Sequence, residues 1–249
     1  MIDTHCHLDA VPDPQNSAAQ LEALVAIGFN PERAKNCLEL ADTIPNVYAT
    51  VGLHPTDANM YSSEVVQILE QLALHPKVVG IGESGMDYYW DAATPANQIS
   101  SFEWQLDLAR RLQKPIIIHC RDKANSRLAF ADCAAILRNA AWTSGILHCF
   151  AGDTELLSTG LELGFYVSFA GNLTYKTAQS IREAAALVPL ERLLVETDAP
   201  YLAPVPFRGK PNRPEYVRHT LEMLAQVRQL EFGELERITV QNAQNVYGI

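Results

Sequence analysis

Ile2-Asp3-Thr4-His5-Cys6-His7-Leu8-Asp9 is an apolar lead running into two histidines spaced two apart. On an extended strand, side chains two apart point to the same side. His5 and His7 can therefore reach one ion together, while Cys6 faces the other way. A surface strand with two ordinary histidines would read the same. Histidine is the commonest transition-metal ligand, so the choice rests on the rest of the chain.

Working outward, short apolar runs alternate with amphipathic stretches, as in β/α units. The runs cover residues 1–5, 23–29, 47–51, 78–83, 115–119, 145–148, 164–168 and 193–197, giving eight candidate strands. Asn30 caps a helix with Pro31 at its first position, running to about Asp42. A second helix opens at Ser62-Ser63-Glu64 and closes at His75-Pro76. Residues 96–112, 125–140, 153–163 and 174–187 read as four more, and 214–246 as two broken near Phe232-Gly233. The expected fold class is α/β: a (β/α)8 TIM barrel formed as one domain over residues 1–249, with a doubly wound open sheet as the alternative. Only about fifteen residues, 8–22, separate the first two strands, and they include Pro12 and Pro14. The first β/α unit is therefore shortened, with a turn or two of helix after Asn16-Ser17.

The chain of 249 residues is long enough for a sizeable core and has no apolar stretch of membrane-spanning length. It shows no basic-then-apolar leader pattern. Five cysteines, an odd number, fit free thiols in a reducing cytoplasm. The formal charge of -10 argues against a broad basic surface for nucleic acid. It leaves open a substrate end held at a cationic centre, because bound ions dominate local charge.

Barrels gather functional residues at the C-terminal ends of their strands. Five of the eight candidates end in groups able to bind metal: His5 and His7, Glu83, His119, His148, and Glu196 with Asp198. Any one of these alone reads more simply as a cap or a satisfied polar group. Their convergence on one mouth would require pairing or a metal. His54, just past the third strand, faces the same mouth in a supporting or substrate-contacting role. His75, before Pro76 at a helix end, reads as a capping or surface residue, and His219 as structural. Strand alternation turns Cys6, Cys120 and Cys149 outward as packing groups.

The residues named so far lie in blocks that resemble the TatD family of metal-dependent hydrolases, within the amidohydrolase-like barrels. The blocks are Asp3–His7 with Leu8-Asp9, Val51-Gly52-Leu53-His54-Pro55, Gly82-Glu83-Ser84-Gly85-Met86-Asp87-Tyr88, Ile118-His119-Cys120-Arg121-Asp122, His148-Cys149-Phe150-Ala151-Gly152, Glu196-Thr197-Asp198-Ala199-Pro200-Tyr201-Leu202 and 208–214. They occur in family order over nearly the whole chain. The departure is the first β/α unit, where family members usually carry a fuller helix.

The resemblance implies a two-metal centre. His5, His7 and Asp198 would hold one divalent ion, His119 and His148 the other, and Glu83 would bridge them. Zinc, manganese and magnesium are the candidate ions. It also implies phosphodiester hydrolysis, as a deoxyribonuclease trimming DNA ends, with Asp198 and Glu83 catalytic and Asp198 orienting the attacking water. Arg121, His54, Arg208 and Lys210, with Arg213 beside them, are the candidate substrate contacts. Tyr88, Tyr89 and Trp90 could stack a base or pack beneath the loop. A hydrolase of C–N or ester bonds, of amidohydrolase or lactonase type, is the alternative. Many such relatives bridge their metals with a carboxylated lysine, where this chain offers Glu83. A metal-binding protein without catalysis is a third reading. The chain is expected to act as a monomer, without an obligate protein partner or a membrane.

Overall fold

The computed structural model describes residues 1–249. Eight strands form one parallel sheet in sequential order: β1 (Ile2–Cys6), β2 (Ala23–Gly28), β3 (Val47–Val51), β4 (Val78–Asp87), β5 (Ile116–Arg121), β6 (Gly145–Leu147), β7 (Tyr166–Phe169) and β8 (Leu193–Val195). Just past β8 the sheet meets its first strand. Asp198 N donates to His5 O at 2.9 Å, and His7 N donates to Ala199 O at 2.8 Å. The result is a nearly closed (β/α)8 barrel, as the alternating runs predict.

The period of two along each strand separates two apolar layers. Ile2, Val25, Ile27, Val79, Ile117, Ile146 and Leu194 meet in the lumen, joined by Ala243, Val246 and Tyr247 of the last helix. Leu24, Ala26, Ile116, Ile118 and Leu147 face outward into the larger layer beneath the helices. Each such aliphatic chain, fully buried, contributes about 1.5–3 kcal/mol. The phase then places His119 with Ile117 and His148 with Ile146, toward the axis. Strand β1 needs an extra device. Its register against β2 slips between Asp3 and Cys6, and Cys6 lands in the outer layer although Ile2 is inside. The slip lets His5 and His7 enter the mouth.

Nine helices cover the outside: α1 (Pro14–Ala18), α2 (Pro31–Thr43), α3 (Ser63–Leu72), α4 (Pro95–Leu112), α5 (Leu128–Ala140), α6 (Thr154–Glu162), α7 (Gln179–Leu187), α8 (Val217–Arg228) and α9 (Phe232–Tyr247). Asn30 and Ser62 cap α2 and α3, accepting from Arg33 N and Val65 N. Some starts fall later than the pattern predicts. Helix α5 begins at Leu128 rather than 125, and α7 at Gln179 after a 3-10 turn at Gly171–Thr174. The α8–α9 break falls at Gln229, in the left-handed region at φ 55°, just before Phe232-Gly233.

Helix α1 has five residues, so the shortened first unit is real. The wall behind it is nonetheless sealed. Val11, Ala18 and Leu21 are buried in the outer layer, and the Asn46 amide donates to Ala18 O and Leu21 O at 2.8 and 2.9 Å. From the opposite side, Tyr247 of α9 donates to Thr4 O at 3.0 Å and holds β1 in place.

Candidate metal centre

Strand β4 carries the central carboxylate and runs to Asp87, four residues beyond the predicted end at Glu83. Two glycines explain how it lies so close to β5. Gly82 and Gly85 have φ of +131° and +132°, and a Cβ on them would stand 2.7 Å from Ile117 O and 2.0 Å from His119 O. Only glycine allows backbone to approach backbone this closely with positive φ. Glu83 and Asp87 are thereby pressed against His119.

Glu83 is 3% exposed, and its two oxygens face different histidines. Oε1 lies 2.8 Å from His148 Nε2, 3.0 Å from His119 Nδ1 and 3.6 Å from His54 Nε2. Oε2 lies 3.6 Å from His5 Nε2 and 4.0 Å from His7 Nε2. Asp198 completes the second group, with Oδ1 3.1 Å from His7 Nε2 and 3.7 Å from His5 Nε2. Asp198 follows β8 in the left-handed region at φ 56°, which aspartate tolerates better than most residues.

These spacings suit ligands of divalent ions. Two atoms each about 2.1 Å from one ion lie about 3.0 Å apart at a right angle and about 3.4 Å apart at a tetrahedral angle. A second observation agrees. His5 is 1% exposed, yet neither ring nitrogen has a hydrogen-bond partner, and His7 Nδ1 is likewise buried and alone. Burying such groups unpaired is costly. An ion among His5, His7, Asp198 and Glu83 would engage the His5 Nε2 that the protein leaves open. The donor set therefore fits divalent metal.

Behind this centre stand Asp87 and Asp3, to which sequence reasoning assigns no role, and Glu196, which it reads as a strand-end group able to bind metal. Asp87 Oδ2 lies 2.9 Å from His119 Nε2, while its Oδ1 accepts from Tyr89 N and Trp90 N at 2.9 and 3.0 Å. Glu196 Oε1 lies 3.1 Å from His148 Nδ1 and accepts from Cys149 N at 2.8 Å. An ionised carboxylate only accepts, so the outer nitrogens of His119 and His148 carry protons, and their inner nitrogens, which face Glu83, are the ones a metal ion would engage. Such partners fix a metal ligand's orientation and raise its basicity. Asp3 acts one step further out, accepting from Thr197 N at 2.9 Å beside Asp198. Burial pushes the Asp3 carboxyl up to about 8.

The electrostatics are those of a densely paired, buried site. Burial pushes Glu83 upward, but His148, His54 and His5 outweigh it and hold the carboxyl well below its ordinary value. Burial lowers His148, and Glu83 with Glu196 reverses this and raises it well above the ordinary range. Burial dominates at His54 and pushes it down to about 3.

A cavity of about 780 Å³ opens above these groups. Among its lining residues Arg121 is the one arginine or lysine. Its guanidinium lies 3.9 Å from the Tyr89 ring and 5.6 Å from Trp90. Trp90 and Tyr201, 54% and 55% exposed, also line the mouth. Tyr88 is turned away, its hydroxyl donating to Asp132 at 2.7 Å. Arg208 lies over Tyr175 at 4.3 Å, and Arg208, Lys210 and Arg213 are not part of the cavity wall. The outward reading holds for Cys6, holds only in part for Cys120, which packs on the outer layer but also borders the cavity, and is corrected for Cys149. Strand β6 ends at Leu147, Cys149 takes φ 42°, and it reaches the cavity beside Asn172. His75 faces Asp42 at 3.4 Å, and His219 faces Glu222 at 3.1 Å, both away from the mouth.

Comparison with known proteins agrees with this architecture. The model of the TatD related DNase family matches residues 2–248. The uncharacterized metal-dependent hydrolase YcfH of Escherichia coli K12 is 39% identical over 264 residues, covering 100% of this chain and 96% of its own. The protein named 3'-5' ssDNA/RNA exonuclease TatD from Citrobacter rodentium is 34% identical over 93% of this chain and 89% of its own. The crystal structure of YjjV, a TatD homologue from Escherichia coli K12, superposes with a TM-score of 0.91 at 29% identity, covering 100% of this chain and 98% of that one. The chain belongs to the TatD related DNase family.

Proposed function

We propose that this protein is a divalent-metal-dependent phosphodiesterase, an exonuclease that trims single-stranded nucleic acid, with DNA the expected substrate. The division of Glu83 carries the reading: one oxygen faces His119 and His148, the other His5 and His7. In this reading His5, His7 and Asp198 hold one ion, His119 and His148 hold a second, and Glu83 lies between them. Zinc, manganese or magnesium in this pair would supply charge stabilisation to both the entering and the leaving oxygen of a displacement at phosphorus.

The protein's own groups supply the rest. Asp198 faces the cavity beside His7 and is held low despite burial, mainly by His7, so it is ionised and able to orient a water and take its proton. Asp87 and Glu196 fix the rings of His119 and His148 before substrate arrives. Arg121, stacked on Tyr89, offers a positive group at the rim. Trp90 and Tyr201 offer exposed rings on which an unpaired base can stack. A duplex, whose binding depends on many phosphate contacts, finds little basic surface at this mouth. Lys123 is paired with Asp91 at 2.9 Å, and Arg127 with Asp153 at 2.8 Å. The relative from Citrobacter rodentium, named as a 3'-5' exonuclease on single-stranded DNA and RNA, supports the same reading.

Purified protein supplied with manganese, magnesium or zinc should release nucleotides from single-stranded DNA. Chelation, Glu83→Ala and Asp198→Asn should each abolish release. Turnover of lactones or N-acyl amides with none of DNA would favour the C–N or ester hydrolase instead.

A further inference from the structure

His54 meets the geometric description of a cation ligand, because its ring nitrogen clusters with Glu83 and His119. Its hydrogen bonds say otherwise. Thr56 N donates to His54 Nδ1 at 3.1 Å. A main-chain amide can only donate, so Nδ1 must present its lone pair, and the ring proton sits on Nε2. The Thr56 hydroxyl, 2.6 Å from the same nitrogen, must also donate.

Local sequence produces this arrangement. Proline after His54 keeps it extended, at φ -60° and ψ 144°. The ring then folds onto the amide two residues on. His75-Pro76-Lys77 repeats the device, with Lys77 N donating to His75 Nδ1 at 3.2 Å.

The pattern is the inverse of that at His119 and His148. There the outer nitrogen donates a hydrogen bond to a carboxylate, and the inner nitrogen faces Glu83, where a metal ion would engage it. At His54 the outer nitrogen accepts hydrogen bonds, and the inner one carries N–H into the cavity. The Nε2 atom lies 3.6 Å from Glu83 Oε1 and makes no hydrogen bond within the protein. Its ring stands 4.5 Å from that of His119. This is a fixed donor without an acceptor, at the edge of the carboxylate–histidine cluster.

We propose that His54 is no cation ligand but a preorganised hydrogen-bond donor, its Nε2–H aimed at a non-bridging oxygen of the substrate phosphate. The identity of the acceptor rests on the phosphodiesterase reading above; the exclusion of His54 from the metal set does not. Because the imidazole stays neutral and keeps its proton, it stabilises charge developing on the phosphoryl group without transferring a proton.

Three measurements test this. Ring nitrogen shifts of 15N-labelled protein, metal-free and zinc-loaded, should show His54 Nδ1 as pyridine-like and Nε2 as pyrrole-like in both. An Nε2 that becomes pyridine-like on zinc loading would overturn the proposal. The ratio of bound metal to protein should be the same in the parent, His54→Ala and His54→Gln; loss of an ion in either variant would overturn it. With bis(4-nitrophenyl) phosphate, His54→Ala should lower kcat on the order of 10²-fold, and His54→Gln should recover part, since its amide donates from a similar reach. Equal kcat in parent and His54→Ala would overturn the substrate role. A parent protein inactive on every phosphodiester would overturn the acceptor assignment, while the nitrogen shifts and metal ratio still decide between donor and ligand.

Discussion

Replacing Asp87 with asparagine probes how His119 is held and protonated for its proposed role as a metal ligand. The substitution is nearly isosteric, and the site is 1% exposed. Asp87 Oδ1 accepts from Tyr89 N and Trp90 N, and Oδ2 accepts from His119 Nε2 at 2.9 Å. In Asp87→Asn the side-chain oxygen stays on the two amides, since turning it would put an NH2 against both. The NH2 then replaces Oδ2 and faces the His119 Nε2 proton, donor against donor. The ring relieves this by moving its proton to Nδ1, where Glu83 Oε1 waits at 3.0 Å. A proton there occupies the place of a cation. Loss of such an outer partner typically lowers metal affinity about 10–100-fold, or about 1.4–2.7 kcal/mol. Zinc titration of the metal-free protein against a chromophoric chelator should show one ion weakened by that factor and the other changed far less. Circular dichroism and the thermal midpoint check that the barrel persists. Both zinc affinities staying within about twofold of the parent, in a folded variant, would refute the reasoning.

Gly85→Ala should cost about 4 kcal/mol or more, measured by urea unfolding, because a Cβ would meet His119 O at 2.0 Å with φ at +132°. Trp90→Ala should weaken binding of a short single strand by roughly 5- to 150-fold if it stacks one base, read as Kd on the non-cleaving Asp198→Asn background. A duplex of the same sequence should change less. Asp153 bears on pH. Burial raises its carboxyl, but the ion pair with Arg127 and the amides of Leu156 and Glu155 outweigh that and hold it low. A carboxylate depressed by folding contributes stability that is full above its unfolded value, about 3.9, and is lost as pH falls through the folded value. Asp153→Asn should therefore lower the urea midpoint at pH 7 and approach the parent as pH falls through the folded value of the Asp153 carboxyl.

The barrel was legible because eight apolar runs keep their spacing, and because strand alternation with a C-terminal mouth fixes where polar ends converge. His119 and His148 follow from that rule directly. His5 and His7 do not follow from strict alternation, since the register slip in β1 is needed to turn them inward. Asp87 went unassigned for a related reason. The strand reads as ending at Glu83, just after Gly82, whereas Gly82 and Gly85 permit β4 to continue against β5 and carry Asp87 to His119. The signal available was the period itself, since 83, 85 and 87 share a face once the strand is extended. Glu196 stood in view at the end of β8, but its bond to His148 joins residues 48 apart and is invisible to local spacing. Arg208 and Lys210 lie outside the cavity wall, because a cationic cluster in sequence does not specify which side of a loop faces the mouth.

The claim on which the account depends is that Glu83 stands between two cations. Anomalous diffraction from crystals of the zinc-loaded protein measures it directly. The account predicts two peaks about 3.5–4 Å apart, one among His5, His7 and Asp198 and one beside His119 and His148, with a Glu83 oxygen toward each. A single peak that leaves either histidine group empty at saturating zinc, or two peaks not flanking Glu83, would contradict it.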